Sequence, residues 1–251
     1  MLREPDPRPR AGPEPIDGTY PMLSRRLFLG GGLLATSGLA GCTGLNTGSL
    51  AAAVTEATPP PMPARYGPIP TERFPIPAVP RGVVDPRFWR QRVDNPFPDQ
   101  ATGTIVVDPN AFFLHLIEEG GSAMRYGIGV GRQGFEWSGD AVVQYKREWP
   151  TWTPPAEMIA REPELEKFSA ANGGQPPGLD NPLGARALYL FQGNVDTLYR
   201  IHGNPEANSI GRAVSSGCIR LLNHDVIDLY GRVADGSKVV VRPSMMPSGF
   251  Y

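Results

Sequence analysis

The stretch Arg200-Ile201-His202-Gly203-Asn204, followed after a short loop by Ser215-Ser216-Gly217-Cys218-Ile219-Arg220, decides how this chain is read. The thiol comes sixteen positions after the imidazole. That is too far for one helical face and suits two strand ends facing each other across a loop. A cysteine is a useful nucleophile only as thiolate, and a neighbouring histidine favours that form by taking the proton or pairing with the charge. Gly203 carries no side chain, so its carbonyl is free to approach the imidazole and fix its tautomer. Gly217 permits a tight turn that would aim the amides of Gly217 and Cys218 at a developing oxyanion. Arg220, two residues beyond the cysteine, would share its strand face and offers a fork for a substrate carboxylate. Acyl transfer through a thioester is the chemistry these parts support.

Working outward, the flanking sequence reads as short strands. Ala187-Leu188-Tyr189-Leu190-Phe191 and Thr197-Leu198-Tyr199-Arg200-Ile201 form a hairpin that ends at His202. After Arg220, the apolar residues Val226, Ile227, Leu229, Tyr230 and Val233 recur at helical spacing, with Asn223 as the expected N-cap and Gly236 as the stop. Ser237-Lys238-Val239-Val240-Val241 closes the domain as a strand. Upstream, residues 103–107 and 111–117 flank Asp108-Pro109-Asn110 as a hairpin, with further strands at 123–130 and 141–146. Residues 147–186 differ, holding Trp149, Trp152, many prolines and short helical pieces broken by Pro163. Such a connection is either a binding lid or a cover for the core edge.

Composition supports a β-rich chain with one core: 251 residues with 30 Gly and 29 Pro favour turns and short strands. The net charge of −1, from 24 basic and 25 acidic residues, gives no clustered basic footprint and sets nucleic acid aside as a partner. Three histidines without close ligand spacing predict no metal site. His115 reads as structural and His224 as a solvated or capping side chain. No glycine-rich run has the strand-to-helix context of a phosphate loop, so no cofactor is expected.

The N-terminal third reads as an address and a tether. Residues 1–21 cannot bury a core, and either form a leader or precede a true start at Met22. From Met22, Ser24-Arg25-Arg26-Leu27-Phe28-Leu29 and an uncharged run to Ala40 have the layout of an export signal. The paired arginines resemble twin-arginine signals, and Leu39-Ala40-Gly41-Cys42 resembles a lipoprotein processing box that would lipidate Cys42 and anchor the protein to a membrane. The other reading of Cys42 is a plain thiol in a signal cut later, after Ala51-Ala52-Ala53. Either way the mature protein is expected outside the cytoplasm, in the periplasm or cell envelope. Each cysteine has its own explanation, which disfavours a Cys42–Cys218 disulfide. Residues 55–100, rich in proline, read as a stiff spacer, with Phe88-Trp89-Arg90 able to dock on the domain.

The pattern His202-Gly203, a short loop, then Ser215 to Arg220 closely resembles the L,D-transpeptidase catalytic domain family, whose cysteine enzymes cross-link bacterial peptidoglycan. The resemblance covers about residues 101–242, including Tyr126-Gly127-Ile128-Gly129-Val130-Gly131 and Asn181-Pro182-Leu183-Gly184-Ala185. It implies a mainly β fold, a β-sandwich of short strands with one helix after the catalytic cysteine and a long Trp/Pro-containing loop. The layout would be an export segment over 1–54, the spacer over 55–100, the catalytic domain over 101–242 and a tail over 243–251. It further implies that Cys218 attacks the L-to-D bond of a tetrapeptide stem and releases D-alanine. His202 would act as base and then acid, held by the Gly203 carbonyl, with the Gly217 and Cys218 amides as oxyanion donors. Ser215, Ser216 and Arg220 would lie near the substrate, and carbapenems would form adducts. Many members have His where this chain has Ser216, and a serine cannot titrate near neutral pH. Water as acceptor would make the protein a carboxypeptidase, and a protein amine would make it attach an outer-membrane protein to the wall. A non-catalytic wall-binding module would need neither His202 nor Cys218.

Overall fold

The strands follow the β-branched and aromatic runs, and a computed structural model describes them over residues 60–131, 137–213 and 218–245. β1 is Gln91–Asp94, β2 Ile105–Asp108, β3 Phe113–Ile117, β4 Ser122–Gly127 and β5 Gly129–Val130. β6 is Gly139–Glu148, β7 Arg186–Gln192, β8 Val195–Asn204, β9 Ile219–Leu222 and β10 Lys238–Val241. The β2–β3 hairpin closes on the Asp108↔Phe113 pair, and Asp108 Oδ1 accepts from the amides of Asn110 and Ala111, an Asx turn. All ten strands share one sheet in the order β1-β4-β3-β2-β10-β6-β7-β8-β9-β5. β4 and β5 stand near opposite ends of that order, yet Ile128 alone separates them in sequence. The sheet therefore rolls until its ends adjoin, and the expected sandwich is built from one continuous sheet. Ile105, Leu114, Tyr126, Val143, Leu188 and Ile201 lie buried within its core.

Two helices follow the expected punctuation. α1, Ala156–Arg161, gives way to a 3-10 turn over Pro163–Phe168, since proline cannot donate to the continuing ladder. α2, Asn223–Arg232, buries Val226 and Leu229 against β7, β8 and β9. Its last turn is capped by Lys146, whose Nζ donates to the carbonyls of Tyr230, at 2.9 Å, and Val233. A cation there suits the negative end of the helix dipole. Asn223 departs from expectation: it is the first helical residue and not the N-cap, because β9 runs directly into α2 through Leu222. Its Oδ1 instead accepts from the amide of Ala185 at 2.9 Å.

The spacer reading of residues 55–100 is corrected over residues 60–100. Tyr66, Val79, Val84 and Phe88 are buried with Ile210 and Leu222, while Ile76 packs with Trp149 and Ala185. β1 then joins the sheet beside β4. The prolines do keep the segment extended, but the apolar residues between them are frequent enough to bury it as a strap. Phe88 does dock, as expected. The strap also overturns the reading of His224, which is buried, with Nε2 2.8 Å from the Gly67 carbonyl and its ring edge-on to Tyr66. His115 is structural as expected, set between Phe97 and Phe113. Among the described residues no helix is long and apolar enough to cross a membrane. The export segment, Cys42 included, lies outside the described residues.

Candidate active site

Alternation along β8 sorts its side chains. Ile201 joins the core with Val226 and Leu229, and a Cβ on Gly203 would stand 3.0 Å from Val226 Cγ1, so both positions face α2. Arg200, His202 and Asn204 point to the opposite face. β9 runs parallel to β8, pairing Ile201 with Ile219 and His202 with Arg220. Cys218 precedes Ile219, so it lies beside Arg200 and diagonal to His202 on the same face, with the neighbouring strands about 5 Å apart. Its carbonyl accepts from the Gly131 amide at 3.1 Å, which holds the strand entry in place. Gly129 pairs with Arg220 and contributes no side chain; a Cβ there would meet the Ser209 carbonyl at 2.4 Å. The structure therefore brings His202, Gly203, Cys218 and Arg220 together. Ser215, Ser216 and Gly217 lie outside the described residues.

The imidazole is 3% exposed, and its Nδ1 lies 2.5 Å from the Gly203 carbonyl. A carbonyl can only accept, so Nδ1 carries the proton and Nε2 is left with its lone pair. Burial pushes His202 down to about 4, against the backbone acceptors of Gly203 and Pro182, while the charges of Arg220 and Arg200 push the same way as burial. Burial likewise pushes the Cys218 thiol up, opposed by a backbone hydrogen bond from Arg200 and the charges of Arg200 and Arg220. The resting pair near neutral pH is thus thiol and neutral imidazole, and the proton must move as the sulfur attacks. Burial lowers the Arg220 pKa, partly offset by Glu206 and Cys218.

Residues 149–185 are knotted around Asn181. Asn181 is 1% exposed and donates through Nδ2 to the carbonyls of Pro150, Gln175 and Pro176, while its Oδ1 accepts from the Leu183 amide. That knot fixes Pro182, whose backbone reaches His202. Trp149 covers the core edge: it is buried, packs edge-on against Phe74 at 4.9 Å and donates to Glu72 Oε2 at 2.9 Å. Trp152 is half-buried, its backbone bridged to Gln175. Sequence reading assigned no site role to Asn181 or Arg200, and to Asn223 only that of a helix cap. Asn181 had one signal, its place in the quoted Asn-Pro-Leu-Gly-Ala run; the other two had none, because their partners come from distant parts of the chain or from an irregular strand.

The sequence also matches known proteins. Probable L,D-transpeptidase YbiS of Escherichia coli K12 is 34% identical over 151 residues, which cover 57% of this chain and 45% of that protein. Putative L,D-transpeptidase YqjB of Bacillus subtilis is 40% identical over 93 residues, covering 36% of this chain and 51% of that protein. The chain spans about half the length of the curated relatives it matches. A solved structure from Brucella melitensis, named a probable carnitine operon oxidoreductase, is 49% identical over 63% of this chain and 96% of that one, with a TM-score of 0.45. An overlay that loose adds nothing on the fold. The model of the L,D-transpeptidase catalytic domain matches residues 102–241, more than half of the sequence, and the chain belongs to that family.

Proposed function

We propose that this protein is a peptidoglycan L,D-transpeptidase that works through an acyl-enzyme on Cys218. One observation carries the reading: the parallel β8–β9 register sets Cys218 diagonal to a buried His202 whose Nδ1 is tied to the Gly203 carbonyl. His202 Nε2 takes the Sγ proton as sulfur bonds to the carbonyl carbon of the L-to-D peptide bond in a tetrapeptide stem. The Gly217 and Cys218 amides receive the oxyanion. Collapse breaks the C–N bond, and the imidazolium returns its proton to the departing amine of D-alanine. The amine of a second stem then attacks the thioester and loses its proton to His202; the C–S bond breaks, the acyl group passes to the amine as a 3-3 cross-link, and the imidazolium returns the proton to the Cys218 thiolate. The Gly203 and Pro182 backbone acceptors stabilise the transient imidazolium.

Arg220, Ser215 and Ser216 are proposed to hold the stem. The Ser-Arg-Arg signal and a lipidated Cys42 would deliver the enzyme to the cell envelope, where that substrate lies. The same acyl-enzyme accounts for carbapenems as inhibitors, since thiolate attack opens their lactam ring and leaves a stable adduct. Incubation of the folded protein with a carbapenem followed by peptide mapping tests the nucleophile. The adduct is expected on the peptide containing Cys218 and absent from Cys218→Ala; a folded wild type left unlabelled would refute the reading.

A further inference from the structure

An irregularity in β8 lies next to the nucleophile. Tyr189 pairs with Arg200, but Phe191 pairs with Asp196, so two extra residues are folded into β8 between those pairs. Leu198 sits at its centre with φ +62° and 74% exposure, a left-handed conformation that no packing of its own side chain requires. In a regular strand, residues four apart stand about 13 Å apart and cannot meet. The bulge brings them together: Arg200 grips Asp196 with both arms, Nη1 to Oδ1 at 2.7 Å and Nη2 to Oδ2 at 2.8 Å. Asp196 Oδ1 also accepts from the Leu198 amide at 2.8 Å, so the carboxylate closes the bulge it depends on. The guanidinium lies 4.4 Å from the centre of the Tyr189 ring, which in turn stacks on Tyr145 at 4.3 Å. Bulges recur beside active sites because they re-aim a side chain, and strained backbone persists where surrounding contacts fix it.

We propose that Arg200 is a positioning residue for the nucleophile, its clamped guanidinium and its backbone amide together holding a fixed positive environment against Cys218. The inference rests on Cys218 being the nucleophile proposed above. Among the described residues, Arg200 on β8 and Arg220 on β9 act on the thiol and His202 stands diagonal to it, while Asp196 on β8 and Tyr189 on β7 meet Arg200, and Glu206 beyond β8 acts on Arg220. Arg200 is locked by a bidentate partner and an aromatic stack. It therefore stays in place whether or not substrate is present. A purely structural Arg200 would stiffen the bulge and leave the thiol's ionisation untouched, and the two roles separate on that point.

The test is the pH dependence of iodoacetamide alkylation at Cys218 in the full chain, followed by mass spectrometry of the Cys218 peptide so that Cys42 does not interfere. Arg200→Gln and Arg200→Met remove the charge; methionine keeps an unbranched stem on Tyr189 and is the second variant if glutamine disturbs folding. In a variant whose thermal unfolding matches wild type, the alkylation midpoint should rise by about one pH unit and the rate at pH 7 should fall roughly tenfold. Arg200→Lys should recover most of that rate. A folded neutral variant with the wild-type midpoint would overturn the proposal. Alkylation needs no peptidoglycan, so an Arg200-dependent midpoint in a protein that never turns over muropeptides would count against the proposed function alone.

Discussion

Gly203 lies so close to Asn223 that a Cβ on the glycine would stand 2.2 Å from Asn223 Oδ1, the oxygen that accepts the Ala185 amide. One glycine thereby serves two ends: its carbonyl holds His202, and its bare Cα lets α2 and the Gly184–Ala185 turn approach β8 from behind. Gly203→Ala is expected to cost about 1–3 kcal/mol of stability through this collision. Asn223→Ala strands the Ala185 amide and should cost about 1–3 kcal/mol on its own. The double variant, by removing the colliding oxygen, should lose roughly 1 kcal/mol less than the sum. Urea unfolding of the four proteins measures the cycle.

The strap makes a second prediction. Tyr66 Oη accepts from the Arg90 amide at 2.6 Å and donates to Asp225 Oδ2 at 3.3 Å, while the Arg90 guanidinium reaches Asp228 at 3.1 Å. Tyr66→Phe leaves a buried donor and a buried carboxylate without their partner. The expected loss is about 2–3 kcal/mol, read by urea unfolding. Because Arg90, His224 and Asp225, which meet Tyr66, are none of them part of the His202–Cys218 pair, carbapenem labelling of the folded variant should stay close to wild type.

The knot around Asn181 gives a third. Asn181→Ala removes the donor for three carbonyls and the acceptor for the Leu183 amide, and should destabilise by about 2–3 kcal/mol. Its effect on rate should exceed its effect on substrate affinity, since Pro182 beside it meets the imidazole. Muropeptide turnover should show kcat reduced several-fold with KM little changed.

These sites also show what could be read in advance. Strand and helix periods, the His202–Cys218 juxtaposition and the Gly203 orienter were legible because each depends on local spacing. The strap was not: prolines at 59–61, 63, 68, 70, 75, 77 and 80 gave it the look of a free spacer, and the burial of Tyr66 and Ile76 depends on surfaces assembled far along the chain. His224 was misread for the same reason, since its cover comes from Gly67. The Asp196–Arg200 clamp was invisible because it exists only through the bulge at Leu198.

Stability should fall on mild acidification. Burial pushes His115 and His202 down to about 4 and lowers His224 as well. Between about pH 4 and 6.5 the unfolded chain binds protons at these rings that the folded protein refuses, so stability rises with pH across that window and is complete above it. Asp225 acts with the opposite sign, because burial raises it to about 7 and the folded form holds its proton longer. Three groups against one leave the slope positive. Unfolding midpoints at pH 5, 6 and 7 should therefore increase in that order, and His115→Gln should flatten the trend.

The central claim is acyl transfer from Cys218, and the most direct measurement is mass spectrometry of purified tetrapeptide-stem muropeptides incubated with the folded protein. A cross-linked dimer lighter by one D-alanine, formed by wild type and not by Cys218→Ala or His202→Ala, is the predicted result. A trimmed tripeptide alone would make water the acceptor and replace the transpeptidase by a carboxypeptidase. Unchanged muropeptide with folded wild type, or full turnover by Cys218→Ala, would contradict the claim.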